Sequence, residues 1–244
     1  MGARSITRIV TADGTHAFFR RWGSPEYQMP RIAQFLLLLD LGGEPVTVQA
    51  WRDFAEATTS EGSPLVAAEE VDADDLPSDL DHLYVINVED GFSFAHFTAD
   101  RSPLALGRWA VQGEADNLAE VLALALRYAE RLVRRAHQLL WVDAETIAGA
   151  ERWANIVRQM VEIHEATDGD FIAPRASELP VRREGQDAAD HAHAVAEFCA
   201  ERAEYMATVV EDSKRMNLPT LTKNATREAR GWTRTGRRHW LATL

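Results

Sequence analysis

Apolar and polar residues follow two different periods along the chain, and the change falls near residue 113. Before that point, four segments are rich in β-branched and aromatic residues, as strands are: 5–11, 16–22, 82–88 and 92–97. An Asp-Gly pair separates the members of each pair of segments, at 13–14 and at 90–91. Glycine in such a pair can adopt the positive φ of a tight turn. The pattern therefore predicts two β-hairpins.

Two helices are predicted between the hairpins. Pro30 can open the first, over 30–40, because the first turn of a helix does not need the N–H that proline lacks. Thr47 is a suitable N-cap for the second, over 48–57. The resulting order, ββααββ, predicts an α+β fold with an N-terminal antiparallel sheet in residues 1–112.

Beyond residue 113, apolar residues recur at the i, i+3 and i+4 spacing of amphipathic helices. Three long helices are predicted: 117–141, 143–166 and 186–216. Pro219 is expected to end the third of them, because proline cannot continue a helix in its interior. These helices should form a C-terminal three-helix bundle-like region. The predicted domains are a sheet domain over 1–112, a helical domain over 113–216 and a basic tail over 217–244.

The net charge of −12 is unevenly distributed. Residues 111–212 carry ten basic and twenty acidic side chains, whereas 213–244 carry eight basic side chains and one acid, Glu228. Guanidinium groups pair with carboxylates or phosphates, and indole rings stack on bases or fill grooves. The candidate partner-binding residues are therefore Lys223, Arg227, Arg230, Trp232, Arg234, Arg237, Arg238 and Trp240.

Three partners for this tail stay open: the acidic helices of the same chain, a protein partner or second copy, and nucleic acid. Exposed ion pairs contribute little in salt, so charge alone would hold the tail loosely. We expect an ordered tail, with Trp232 or Trp240 buried against protein in the same chain or in another copy.

No complete catalytic motif occurs in the sequence. The segment 91–95, Gly-Phe-Ser-Phe-Ala, lacks the last glycine of a nucleophile elbow, and no phosphate-binding glycine loop is present. Cys199 shares a helix face with Val195, which is typical of a buried thiol. His193 and Glu197 are four residues apart and could reach one ion, although a solvated helix face is the more ordinary explanation of this spacing. We expect no catalytic, cofactor-binding or metal-binding residues.

A single cysteine cannot form an intrachain disulfide, which favours a reducing, cytoplasmic location. The longest apolar run, over 35–39, is far shorter than a membrane span, so no membrane partner is expected. The first residues also lack the apolar segment of a secretory signal.

The chain opens with Met-Gly-Ala-Arg-Ser, and a hairpin and a helix are predicted to follow. The later segment 81–86 reads Asp-His-Leu-Tyr-Val-Ile. These features resemble a group of small phage and plasmid proteins that begin Met-Gly-x-Arg-Ser. The resemblance covers residues 1–40 and 81–98 and excludes the helical half. It implies an origin in a mobile element and carries no activity.

The residues define no reaction, so the sequence favours a non-enzymatic binding or adaptor protein. Its helical half and basic tail would dock a macromolecular partner, or a second copy in an oligomer. The alternative is a small-molecule or metal-dependent enzyme with a site between the sheet and the helices.

Overall fold

The computed structural model describes residues 3–60, 63–77, 79–99, 109–139 and 142–243. Their contacts divide the chain into two compact units. The first comprises Met1–Leu37 with Pro45–Val161, and the second comprises Leu38–Glu44 with Glu162–Leu244. Contacts between residues define these two units, whereas the predicted domains follow from patterns in the sequence. The domains 1–112, 113–216 and 217–244 stay predictions.

The first unit contains a six-stranded mixed sheet and one small hairpin. The strands are β1 (Ser5–Thr11), β2 (Gly14–Arg20), β3 (Thr59–Ser60), β4 (Ser63–Pro64), β5 (Glu69–Val71), β6 (His82–Asn87), β7 (Ser93–Ala99) and β8 (Trp109–Ala115). The order in the large sheet is β5-β2-β1-β6-β7-β8, and β3 pairs only with β4. Strands β1 and β6 run parallel, whereas the other neighbours are antiparallel.

The α+β class is confirmed, but the structure differs from the predicted ββααββ order and from a purely antiparallel sheet. The two hairpins, β1–β2 and β6–β7, are present, and Gly14 and Gly91 have φ values of +132° and +125°. The hairpins join through the parallel pair β1–β6. Strands β5 and β8 form the two edges. Most of their residues are exposed, so neither strand has the alternation of buried and exposed positions from which a strand is predicted.

Four helices begin in the first unit: α1 (Pro25–Gly42), α2 (Val48–Ala57), α3 (Leu118–Gln138) and α4 (Ala144–Thr167). The N-cap of α2 is as predicted, because Thr47 Oγ1 accepts a hydrogen bond of 3.0 Å from the N–H of Ala50. The predicted start of α1 at Pro30 is wrong. Pro25 opens the helix, and Pro30 lies in its second turn.

Proline at position 30 has no N–H to donate to the carbonyl of Glu26, four residues earlier. That carbonyl instead accepts a hydrogen bond of 3.3 Å from Trp153 Nε1 of α4. The α1–α4 contact therefore supplies the donor that the helix interior lacks, which allows Pro30 to stay inside the helix.

The core of this unit is aromatic. Trp51 of α2 is fully buried, and its ring lies edge-on to Phe35 at 5.0 Å between centroids. Phe18 of β2 and Phe54 of α2 lie within 6.3 Å of the same indole. Trp51 Nε1 donates to the carbonyl of Ala67 at 2.7 Å, so its polar atom is also satisfied.

The second unit is dominated by a long helical hairpin, α5 (Ala188–Arg215) and α6 (Pro219–Leu241). The predicted three-helix bundle-like region is not confirmed. In this unit the two long helices that pack on each other are α5 and α6. Pro219 opens α6 and does not act as a terminator. Residues 219–241 of the predicted basic tail thus form a helix, in line with the expectation of an ordered tail.

Glycine allows the two helices to approach closely. A Cβ atom on Gly236 would lie 2.8 Å from Cys199 Cβ, closer than such atoms pack.

Within the described residues, no helix has the length and apolarity needed to cross a membrane.

Candidate functional site

Four of the predicted partner-binding cations contact other groups of the second unit. Arg227 Nε lies 2.8 Å from Asp170 Oδ2, and Arg230 Nη1 donates to the Asp170 carbonyl at 2.6 Å. Arg238 Nη2 lies 2.6 Å from Glu44 Oε1. Arg227 and Arg238 therefore pair with acids of the same unit. These acids lie in loops, whereas the partner left open by the sequence was the acidic helices of the chain.

Arg234 is the most deeply placed of these cations. Its residue is 5% exposed, and its guanidinium carbon lies 4.4 Å from the centre of the Phe171 ring. Nη1 donates to the Thr167 carbonyl at 2.8 Å, and Nη2 is 3.0 Å from Asp40 Oδ2 and also donates to the Asp40 carbonyl. A buried guanidinium needs such partners, so Arg234 is part of the packing of this unit.

Of the remaining predicted residues, Trp232, Arg237 and Trp240 line a groove along the hairpin. Lys223 and Arg237 are exposed. Trp232 and Trp240 are half-buried, whereas at least one of these indoles was expected to be buried. Trp232 lies edge-on to Phe198 of α5 at 5.9 Å between ring centroids. The groove has a volume of about 390 Å³ and is lined by His193, Ala196, Glu197, Ala200, Ala203, Trp232, Thr233, Gly236, Arg237 and Trp240.

Large apolar side chains are exposed where α5 turns into α6. Tyr205 and Met216 are each 61% exposed, and Leu218 and Leu221 are 44% and 43% exposed. Tyr205 lies about three helical turns, or about 16 Å, before Met216, which caps the C-terminus of α5, so it is remote from the turn. The other three residues, Met216, Leu218 and Leu221, are called the hairpin-end patch below.

The other candidate side chains of the sequence show no catalytic arrangement. Cys199 is fully buried, and burial raises the pKa of its thiol to about 11, so it is not a thiolate at neutral pH. His193 and Glu197 are exposed on α5. Among the described residues, no three His, Cys, Asp or Glu side chains are grouped to hold a metal ion. Ser93 lies at the start of β7, on a hairpin strand.

A cluster of histidines and tyrosines in the first unit was not predicted. His96 of β7 is 1% exposed, and its Nδ1 lies 2.8 Å from the hydroxyl of Tyr128 of α3. Its Nε2 lies 3.2 Å from His82 Nδ1 of β6. Tyr84 stacks on the His96 ring at 4.7 Å and donates its hydroxyl proton to the Gly23 carbonyl at 3.0 Å.

The sheet register brings these rings together. Residues Tyr84 and His96 are directly paired across β6 and β7, and His82 is paired with Thr98. His82 and His96 therefore lie diagonally on one face of the sheet. A two-residue turn at Asp90-Gly91 would pair Tyr84 with Phe97, whereas the observed five-residue loop 88–92 pairs it with His96. The predicted turn therefore did not specify this register.

Burial keeps both imidazoles neutral. Burial, then the charges of His82 and Arg131, lower the pKa of His96 to about 3. Burial also lowers the pKa of His82, against an opposing effect of the Glu26 carboxylate. The pKa of Tyr128 is raised by burial despite the nearby Arg131. A neutral imidazole donates from one nitrogen and accepts at the other, so Tyr128, His96 and His82 form one directional hydrogen-bonded chain.

This chain borders a cavity of about 620 Å³ in the first unit. Glu26 is 6% exposed and its Oε1 lies 3.0 Å from Arg135 Nη1. The guanidinium of Arg131 lies 4.9 Å from the centre of the Tyr128 ring. The polar residues that line the cavity are Ser24, Glu26, His82, His96, Thr98, Gln112, Tyr128, Arg131 and Arg135. Such a concave group of convergent polar side chains is typical of a small-molecule site.

Comparison of the chain with protein-family models, with curated proteins and with solved structures finds no match.

Proposed function

We propose that the protein is a non-enzymatic adaptor that docks a protein partner through the α5–α6 hairpin. The hairpin-end patch is the observation that carries this proposal. Exposed apolar residues scattered singly are ordinary, whereas several large ones at one end of a hairpin are typical of a contact surface. Burying each of them in an interface would contribute about 1.5–3 kcal/mol at most.

The charge arrangement supports a protein partner over nucleic acid. Arg227, Arg230, Arg234 and Arg238 contact oxygens of their own unit, so binding phosphates would require these contacts to break. Lys223 and Arg237 are the exposed members of the predicted set. Two exposed cations neutralise few phosphates, and nucleic-acid affinity depends on how many are neutralised.

The groove beside Trp232 and Trp240 would extend the contact. Its lining includes the small residues Ala196, Ala200 and Gly236, which leave room for side chains of a partner beside the indoles. Aromatic side chains that are anchored at one edge and exposed at the other are frequent at the centre of protein interfaces. We therefore expect contacts at both the hairpin end and the groove.

Site-specific photo-crosslinking tests this proposal. A benzophenone amino acid at position 221, in cells that make the protein, should give a discrete crosslinked species with a protein. The same probe at position 181 is the control, because Val181 is 87% exposed and lies outside the hairpin. Met216→Ser should reduce the crosslink at 221. Equal crosslinking at both positions, or nucleic acid retained at about 0.15 M salt by the purified protein, would contradict the proposal.

The second candidate function is a small-molecule enzyme, and the Tyr128–His96–His82 chain favours it. The chain ends at a polar cavity, where His82 could exchange a proton with a bound molecule. Thermal-shift screening of metabolites, followed by mass spectrometry of any ligand found, would test it. His82→Gln should remove the shift and any turnover, whereas His137→Gln, at an exposed contact with Glu151, should not.

A further inference from the structure

A second cavity in the first unit has a different chemistry from the histidine cavity. Its volume is about 570 Å³, within the range of small-molecule pockets. Most of its wall is apolar or aromatic, and the described lining residues include no acid: Arg20, Trp22, Tyr27, Arg31, Leu65, Leu132, Ala136, Thr146, Gly149, Ala150 and Trp153. Two guanidinium groups thus share an otherwise apolar pocket.

Arg31 is held in place by neighbouring side chains. Its Nη1 donates to Gln34 Oε1 at 2.6 Å, and its guanidinium carbon lies 4.6 Å from the centre of the Trp153 ring. Burial, then the charge of Arg20, lower the pKa of Arg31 to about 10. The positive charge of Arg31 is therefore partly desolvated, and the charge of Arg20 repels it.

Arg20 supplies an unsatisfied donor. Its Nε donates to the Trp22 carbonyl at 2.9 Å, but its Nη1 is buried and has no hydrogen-bond partner among the described residues. Burial also lowers the pKa of this arginine. That buried Nη1 atom is not open to the cavity, but the two guanidinium charges repel each other beside a pocket whose described lining has no acid, and a negatively charged ligand would offset this repulsion.

We propose that this pocket binds a small organic anion with an apolar body. The anionic group would lie beside the side chains of Arg20 and Arg31. The apolar body would fill the space between Leu132, Ala150 and the tryptophans. An inorganic anion alone would leave these apolar walls unfilled, and a neutral apolar molecule would not offset the repulsion between the two arginines. The pocket therefore selects for both properties in one molecule.

Isothermal titration of the full chain with 2-naphthoate tests the proposal, with 2-naphthalenemethanol and sulfate as probes of each property alone. We expect saturable one-to-one binding of 2-naphthoate, and binding of the other two weaker by about tenfold or more. Arg20→Gln should weaken naphthoate binding by about tenfold. The matched control is Arg21→Gln, because Arg21 is the exposed neighbour of Arg20 and should change affinity less than twofold, about the effect expected of a rim charge.

A steric variant keeps the test independent of the arginine. A Cβ atom on Gly149 would meet only Arg152 Nη2 at 3.9 Å, so Gly149→Leu can be accommodated in α4 while its side chain fills the pocket. It should abolish naphthoate binding with both arginines in place. Absence of saturable binding to the unaltered chain would overturn the proposal. So would equal affinity for the neutral alcohol, or equal effects of the Arg20 and Arg21 variants.

Discussion

Arg234 and Asp40 are 194 positions apart in the chain, yet Nη2 of the arginine lies 3.0 Å from Oδ2 of the aspartate. The arginine is buried, whereas the Asp40 side chain is 40% exposed. The same guanidinium also donates to the carbonyls of Thr167 and Asp40. One side chain of α6 therefore holds the ends of α1 and α4 that belong to the second unit.

Arg234→Met should destabilise this unit, because it removes three hydrogen bonds and leaves the Thr167 carbonyl without its arginine donor. We expect the free energy of unfolding to fall by about 2–4 kcal/mol, somewhat below the loss for a fully buried pair because Asp40 stays partly solvated. Urea unfolding measures the change. Arg237→Met is the control at an exposed position of the same helix and should shift the free energy by less than about 0.5 kcal/mol. Equal losses in the two variants would contradict the structural role of Arg234.

The pH dependence of stability should report on His96. Its pKa is about 3 in the folded chain and about 6.5 when unfolded, so between these values the unfolded chain binds one more proton. The contribution of neutral His96 to the free energy of unfolding is therefore largest above about pH 6.5. It falls by about 1.4 kcal/mol per pH unit as the pH decreases toward 3.

His96→Gln should flatten the stability profile between about pH 6.5 and pH 4, although it also lowers stability at neutral pH. Urea unfolding at each pH measures the slope. His137→Gln is the control, because His137 is an exposed residue. If the slope of His96→Gln equals that of the unaltered chain, His96 has the same pKa in the folded and unfolded states, and its burial does not oppose protonation.

Local signals in the sequence predicted the hairpins well. The glycines of the two Asp-Gly pairs have the positive φ expected of them, and β1 spans Ser5–Thr11 as predicted. Neighbouring residues decide such turns. The parallel pairing of β1 with β6 depends on chain segments about 75 residues apart, and no local pattern specifies it.

Proline was the least informative signal, because the residue alone does not say which end of a helix it marks. Pro219 opens α6 and Pro30 lies inside α1, where Trp153 supplies a donor to the free carbonyl of Glu26. The basic residues of α6 were identified by composition, but their acidic partners Asp40, Glu44 and Asp170 come from distant segments. Only the fold brings them together.

Two helical glycines should respond in opposite directions to alanine. At Gly236 a new Cβ would lie 2.8 Å from Cys199 Cβ, so α5 and α6 would have to move apart. Overpacking of this kind costs about 1–3 kcal/mol. At Gly149 the nearest atom is the flexible end of Arg152, so Gly149→Ala should gain about 0.5–1 kcal/mol from helix propensity. Thermal unfolding of the pair measures both changes, and stabilisation by Gly236→Ala would show that the helices are not closely packed there.

Tyr128→Phe should test whether the buried hydrogen-bonded chain is a stable part of the first unit. The variant keeps the ring but removes the hydroxyl that lies 2.8 Å from His96 Nδ1. Because His96 is buried, its nitrogen would lose its partner, and such a loss costs about 1–3 kcal/mol. Tyr205→Phe is the matched control, since Tyr205 is 61% exposed and its hydroxyl can bond to water in either state. Urea unfolding of the two variants should show a loss only for Tyr128→Phe.

In the imidazole ¹⁵N spectrum, the same variant should change the tautomer balance of His96, because the hydroxyl no longer selects which nitrogen carries the proton. Unchanged stability together with an unchanged spectrum would mean that the Tyr128 hydroxyl does not bond to His96, and that the chain ends at the histidine pair.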